Sequence, residues 1–468
     1  MTLNESKKIC IIGAGMQGLV AAHMLLELDY KVNIYDSLSD PSEQDGKRVD
    51  DPSPTFGQGG DVRHITGSEG LTLQPWLKVV DAQQPVTCAI EDEDGQHFIH
   101  DSIESAKYFA NFDEDNVLKI NLRHTALNNA GLGMWGTAQS HFPEVRSTSN
   151  GYLPVMHKKT KMAKEDFELE QKINPDSAQP IWGKIPQNIL DFLDGEYDSD
   201  ESLSVPAYHM MVKKLGLKLI QRIKDLGGNF MWNTPIEKET IPKGYDIVIN
   251  ASSRWKQYST FLIGFWINVK DPESKLFNSP FKFVDANLGY LNVTPYSSKG
   301  EKDSNDMVAV SGGFFYFDKD DQSKNGKKYI ESAKAQFLEA VGTRVSFLKE
   351  YSEPILCLRP NGIFGLPCVE LQDRDGVNFI DISGGGKAGT TLGPSVALLA
   401  IQKLGLLDAQ GYSGVFGDNL FADESLMELE SLQSGVRSWS ETDKRIGDDR
   451  YRTTLYNSGV DLGIDDGS

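Results

Sequence analysis

The first ordered pattern in the chain is the apolar run Ile9-Cys10-Ile11-Ile12 behind Lys8, which reads as a buried parallel strand. It leads into Gly13-Ala14-Gly15-Met16-Gln17-Gly18, after which Leu19, Ala22, Leu25, Leu26 and Leu28 recur at helical spacing. Lys31-Val32-Asn33-Ile34-Tyr35 then alternates as a strand and stops at Asp36. Farther on, Tyr208 to Leu226 predicts a helix, Gly227-Gly228 a turn, and Tyr245 to Ser253 a strand ending in small residues. Phe261 to Val269 and Met307 to Ser311 predict strands of an antiparallel sheet, the second followed by Gly312-Gly313-Phe314-Phe315-Tyr316-Phe317. Near the far end, Val377 to Ile382 predicts a strand that enters the Gly-rich stretch Ser383 to Pro394. Val396, Ala397, Leu399, Ala400 and Leu404 then share one helical face, with Pro394 and Ser395 as the start signal.

Strand, Gly-x-Gly-x-x-Gly, helix, strand and acid form a dinucleotide-binding unit in the correct order. Gly13 makes the tight turn, Gly15 removes a side chain that would meet a pyrophosphate, and Gly18 lets helix and strand pack closely. The helix N-terminus presents N–H groups and partial positive charge to phosphate. Asp36 is placed to accept hydrogen bonds from the adenosine ribose, and its charge repels a 2′-phosphate, which disfavours NADP. The motif alone does not separate FAD from NAD. A second glycine loop opening a second helix, at Ser383 to Pro394, suits a flavin and selects FAD, because backbone N–H groups there can stabilise negative charge on the reduced ring.

Composition narrows the partners. The 468 residues carry 67 acids against 47 Lys and Arg, a formal charge of −20 that disfavours nucleic acid and anionic membranes. The apolar run Val396 to Leu407 is interrupted by Gln402 and Lys403 and falls short of a bilayer span, and the start of the chain lacks the pattern of a secretory signal. Cys10, Cys88, Cys357 and Cys368 are scattered, which fits a reducing cytoplasm, and neither they nor the eight histidines make a metal-ligand pattern.

Several segments resemble the D-amino-acid oxidase, sarcosine oxidase and glycine oxidase group of FAD enzymes. Gly59-Gly60-Asp61-Val62-Arg63-His64-Ile65-Thr66 is similar to the segment that runs beside the flavin there. Tyr245 to Ser253 is similar to the group's strand ending in Ala-x-Gly, and Ser383 to Pro394 to its Gly-His-Gly segment, with Ser253 and Gly385 as the departures. Leu358-Arg359-Pro360 resembles the group's Leu-Arg-Pro, whose Arg holds the substrate carboxylate. Cys357 stands where the sarcosine-oxidase-like members attach their flavin; it is read here as a buried free cysteine, with the flavin held non-covalently.

The expected fold class is α/β (α+β), a Rossmann-like FAD-binding domain with an interleaved antiparallel-sheet substrate domain. The former is assigned to 1–80, 200–255 and 355–410, the latter to 81–199 and 256–354, and 411–468 to an acidic tail to which no function is assigned. The acid-rich run Asp191 to Glu201 reads as a solvated loop. Cofactor contacts are expected from Gly13, Gly15, Gly18, Asp36, Gly60, Arg63, Gly385, Gly386, Gly389 and Thr391. Arg359, Arg63, His64 and Tyr316 are the candidates for substrate binding and catalysis. The expected activity is oxidation of the C–N bond of a small amino acid or amine to an imine, with hydride transfer to flavin. A 2-hydroxy-acid oxidoreductase and a non-redox flavin-binding protein are the alternatives.

Overall fold

The computed structural model describes residues 7–42, 63–67, 89–91, 97–99, 114–147, 151–193 (without 158), 197–252 (without 198, 238 and 239), 260–296 (without 272, 274, 277, 278 and 286–288), 306–317, 324–344, 351–385 (without 362–365 and 375) and 388–427. Along the chain come β1 (Lys8–Ile12), α1 (Met16–Glu27), β2 (Lys31–Tyr35), β3 (Arg63–Thr66), β4 (Ala89–Glu91), β5 (His97–Ile99), α2 (Glu114–His141), β6 (Arg146–Ser147), β7 (Tyr152–Met156) and α3 (Thr160–Ile173). Next are β8 (Ile181–Lys184), α4 (Gln187–Phe192), β9 (Glu201–Met210), α5 (Val212–Asp225), β10 (Asn229–Met231), β11 (Ile247–Asn250), β12 (Thr260–Lys270), β13 (Phe281–Asp285), β14 (Gly289–Tyr296) and β15 (Met307–Phe317). Last are α6 (Lys324–Arg344), β16 (Ile355–Asn361), β17 (Cys368–Arg374), β18 (Val377–Ser383), α7 (Gly389–Lys403), β19 (Tyr412–Gly414) and β20 (Gly417–Leu420).

One six-stranded sheet has the order β10-β2-β1-β11-β18-β17, parallel except for the edge strand β17. Its central strands β1 and β11 read as apolar runs because both faces are covered, whereas β2 alternates. Ile9, Ile11, Ile249 and Ile380 join the core built around α1, α5 and α7, while Cys10, Ile12, Val248 and Phe379 pack under Tyr35, Ile236 and Tyr245. Burial pushes the Cys10 thiol up to about 12, so it stays an inert apolar group. From β1 the chain first winds outward through β2 and β10, then returns to β11 on the other side, which sets the topological switch point between β1 and β11.

The second sheet runs β16-β12-β15-β14-β13-β7-β9-β3, with β6 and β8 also pairing with β9, and is antiparallel apart from the β13–β7 pair. Strand β12 alternates between two environments. Ile263, Phe265, Ile267 and Val269 face Ala333, Phe337 and Val341 of α6. Trp266, with Ala309, Tyr296 and Cys357, packs on the other face against Met211, the residue that caps α5. That second face is therefore the one turned toward the parallel sheet. The expected α/β architecture with a Rossmann-like sheet and an antiparallel covering sheet is present.

Two predicted boundaries shift. Tyr208 to Met210, expected to open a helix, close strand β9 by pairing with β3, and α5 begins only at Val212. Helix α7 begins at Gly389, five residues before its expected start, and carries Pro394 inside it. A helical proline leaves the carbonyl four residues back without its N–H donor. Here that carbonyl belongs to Thr390, and the indole Nε1–H of fully buried Trp135 in α2 donates to it at 2.8 Å. Gly131, one turn earlier, lets the helices meet, since a Cβ there would lie 2.0 Å from the Thr391 carbonyl oxygen. Trp135→Phe should thus lower unfolding free energy by about 1–3 kcal/mol, the cost of orphaning a buried acceptor. Urea titration checks it; an unchanged midpoint would show that the bond contributes nothing.

The β19–β20 hairpin is clamped to α1. The Tyr412 hydroxyl and the Val415 N–H donate to the Glu27 carboxylate, and His23 Nδ1 lies 3.1 Å from it. Burial opposes ionisation of Glu27, but the His23 contact and the two donors outweigh it and hold its carboxyl below the ordinary range. A depressed folded-state value gives stability that is full above the unfolded glutamate pKa, about 4.3, and lost as pH falls through the folded value. Glu27→Gln should be less stable than wild type at pH 7, with the difference shrinking in that acid window; a pH series of melting temperatures reads it.

Candidate functional site

The carboxyl ends of β1 and β11 meet at the switch point. Gly13 adopts φ +101, and a Cβ on it would stand 3.0 Å from the Ala251 and Ser252 backbone that follows β11. Its N–H bonds the Tyr35 carbonyl at 2.7 Å, tying the turn to the end of β2. A Cβ on Gly18 would come 2.0 Å from the Gly13 carbonyl oxygen, so this glycine is required by the close approach of helix and turn. Gly15 differs. It caps α1 in an ordinary extended conformation, without a side-chain hydrogen bond, and a Cβ on it would meet nothing within 4 Å. The first turn of α1 holds no acid, and its N–H groups and positive dipole end suit an anion.

Asp36 is buried at the mouth of this turn. One carboxylate oxygen accepts the Ala14 N–H at 2.7 Å and the other the Leu38 N–H at 2.9 Å. The acid is thus fixed in orientation, with lone pairs left for hydroxyl donors.

The C-terminal glycine segment arrives at the same place. A Cβ on Gly385 would lie 2.7 Å from Gly389 Cα and 3.2 Å from Nε2 of Gln17 in the first turn of α1. Residues about 370 positions apart therefore converge, and the same crowding explains why a glycine stands where the resembling group carries histidine. Helix α7 begins beside it, likewise without a side-chain cap or a first-turn acid, and a Cβ on Gly389 would meet nothing within 4 Å. Thr391 is buried in the first turn of α7, its carbonyl against Gly131. Gly60 and Gly386 lie outside the described residues.

These features fit an extended dinucleotide. Two uncapped helix N-termini, two glycines with an open Cβ direction and a fixed carboxylate at the end of β2 answer to phosphates, close backbone approach and a ribose in turn.

The covering sheet supplies the other wall. Strand β3 pairs with β9 and packs against α7. Arg63 opens β3 opposite Met210; its side chain, like that of Tyr316, lies outside the description. His64 stands opposite His209, their rings 4.7 Å apart, and its Nε2 is 2.6 Å from Thr294 Oγ1 of β14. Tyr316 and Arg359 both stand opposite Leu262, one from each side, so the three share one row of the sheet. Arg359 is partly buried, and its Nη1 donates to the Gly313 carbonyl at 3.1 Å. Cys357, two residues earlier, is buried among Trp266, Tyr296 and Ala309.

Asn292, Thr294 and Ser311 also belong to this row-by-row polar face, since Asn292 pairs with Ser311 and Ser311 with Trp266. The sequence reading passed over them, although the alternation within Gly289–Tyr296 carries the signal. His209 does not stand out in the sequence because its segment reads as helix.

The order of the parallel sheet, the converging glycine turns and the antiparallel cover define a two-sheet α/β fold with a Rossmann-like switch point. Solved structures share it: iminodiacetate oxidase from Chelativorans sp. BNC1 (15% identity, TM-score 0.53, covering 85% of this chain and 95% of that one) and Amadoriase I, a fructosyl amine:oxygen oxidoreductase from Aspergillus fumigatus (12%, 0.54, 86% and 88%). Glycine oxidase from Geobacillus kaustophilus is similar over 88% of this chain and 98% of its own, at 13% identity and a TM-score of 0.53. No protein-family model matches the chain, and no curated protein matches it in sequence. Among the described residues, no helix is long and apolar enough to cross a membrane, and no cluster of His, Cys, Asp and Glu could hold a metal ion.

Proposed function

We propose that the protein is an FAD-dependent oxidoreductase that oxidises the C–N bond of an amino acid or related amine to an imine. The observation that carries this is the placement of Arg359 on the covering sheet, in a fold whose switch point bears a two-ended dinucleotide cradle. Gly13, Gly15, Gly18 and Asp36 would hold the ADP part of FAD, and Gly385, Gly389 and Thr391 the ribityl and ring end, with Gly60, Gly386 and Arg63 completing the contact. Bound FAD supplies the hydride acceptor.

The chain's own task is orientation. Arg359 holds the substrate carboxylate through a charge-assisted pair, which fixes the α-carbon relative to the ring. Tyr316, in the same row, borders the substrate. His64, held by Thr294, is the titratable group on β3 that can hold or move a proton. The similar structures, an iminodiacetate oxidase, a fructosyl amine oxidoreductase and a glycine oxidase, support an amine as the group oxidised. The protein works in the cytoplasm, without nucleic acid as a partner, and 1–80, 200–255 and 355–410 form the FAD-binding part, apart from β3, β9 and β16, which lie within those ranges but belong to the covering sheet.

The test is anaerobic mixing of the FAD-loaded protein with D- and L-amino acids, N-methyl amino acids and 2-hydroxy acids, followed by flavin absorbance. Bleaching by an amino compound is expected. Bleaching by hydroxy acids alone, or by none of the set, overturns the reading.

A further inference from the structure

Gly264 has no backbone reason to be glycine, because it is not among the residues with positive φ. It sits where the β12–β15 ladder slips. Ile263 pairs with Phe315 and Phe265 with Gly312, so Gly264 alone opposes the two residues Gly313 and Phe314. This is a β-bulge on β15, and Gly313 takes φ +81 within it. On its other side Gly264 pairs with Cys357, two residues from Arg359. The Arg359 side chain crosses over this point to reach β15, where Nη1 donates to the Gly313 carbonyl. A Cβ on Gly264 would lie 2.6 Å from that Nη1, 2.5 Å from the Gly313 oxygen and 2.7 Å from the Gly312 oxygen. Any side chain at position 264 thus occupies the space in which the guanidinium meets its acceptor.

We propose that Gly264, with the bulge at Gly313 and the adjoining Gly312 carbonyl, forms a guanidinium seat that positions Arg359 for a carboxylate ligand. The proposal rests on the reading of Arg359 as carboxylate anchor. Gly264 is a positioning residue, and its conformationally ordinary backbone makes space its only contribution. Bulges recur beside active sites because they re-aim one group without changing the rest of a sheet. Here the re-aimed group is a carbonyl, and a long flexible side chain bonded to it loses the freedom that would otherwise weaken an ion pair.

The seat can be tested apart from the side chain that fills it. Acetate binding is read by saturation-transfer NMR of its methyl group, with acetamide as the neutral control, so the readout does not depend on flavin turnover. Wild type should bind acetate in preference to acetamide, and Arg359→Ala should lose that preference. Millimolar guanidinium should restore acetate binding to Arg359→Ala by about tenfold or more, as expected when a lost charge-assisted contact is replaced. Tetramethylguanidinium, too bulky for the seat and stripped of most donors, should not. In Arg359→Ala/Gly264→Ala, guanidinium rescue should vanish; if that variant fails to fold, the contrast between the two cations decides. Equal rescue by both cations, rescue that persists in the double variant, or no rescue in Arg359→Ala overturns the seat. A wild type indifferent to acetate, or an Arg359→Ala variant that still prefers it, overturns the anchor reading and the seat with it.

Discussion

Gly15→Val is expected to fold with nearly wild-type stability and to purify without FAD. The two halves of that result follow from separate observations. The residue lies at φ −69 and ψ 175, a conformation open to any L-residue, and among the described residues a Cβ on it would meet nothing within 4 Å. A branched side chain therefore costs the apoprotein little, yet it projects into the space in front of the α1 N-terminus where a pyrophosphate must approach the backbone. Overpacking of that contact by about 3 kcal/mol would weaken FAD binding about 100-fold. Gly18→Val is the counterpart with the opposite cause, because its Cβ would strike the Gly13 carbonyl oxygen and the fold itself should suffer. Visible flavin absorbance together with urea midpoints separates the two. Equal FAD content in Gly15→Val and wild type would remove the pyrophosphate from this turn.

The turn was legible in the sequence because everything that defines it is local. Glycine spacing, an apolar strand and the acid at position 36 lie within 30 residues, and each has one physical reading. The start of α7 was not legible, since Pro394 is an equally good first residue of a helix as an interior one until something takes up the Thr390 carbonyl. That something is Trp135, about 255 residues away in sequence. Helix α2 is masked for a related reason. Leu127, Leu132, Trp135 and Ala138 are buried alongside Thr125, Asn128 and Gln139, so polar and apolar positions mix on its inner side and blur the period. Strand β9 shows the converse error, where Tyr208 to Met210 run into an amphipathic helix without a break in composition. The role of Gly264 could not be read at all, because it arises only where three strands align with a slipped register.

Arg359→Ala should leave FAD content unchanged and lower kcat/KM for a carboxylate-bearing amine by a factor set by the lost ion pair. Truncating one partner of a partly buried charged contact typically costs ~2–5 kcal/mol, or about 30- to several-thousand-fold. The lower end is the better guide if water fills the vacated space, the upper if the substrate carboxylate remains desolvated and unpaired. Arg359→Lys should recover only part of the loss, since an ammonium is a point charge without the guanidinium fork and cannot both reach the Gly313 carbonyl and present two donors to a carboxylate. The same amine without its carboxylate is the control, because it never makes the contact and its turnover should be equal in both proteins. The structure sharpens this comparison in one respect: the arginine is bonded to the sheet backbone, so its removal also frees a carbonyl at a bulge. That side effect would appear as a loss shared by both substrates, whereas loss of the anchor falls on the carboxylate substrate alone. Equal losses for the two substrates would therefore make Arg359 a structural brace of the bulge and place the carboxylate elsewhere, with Arg63 on β3 the next residue to change.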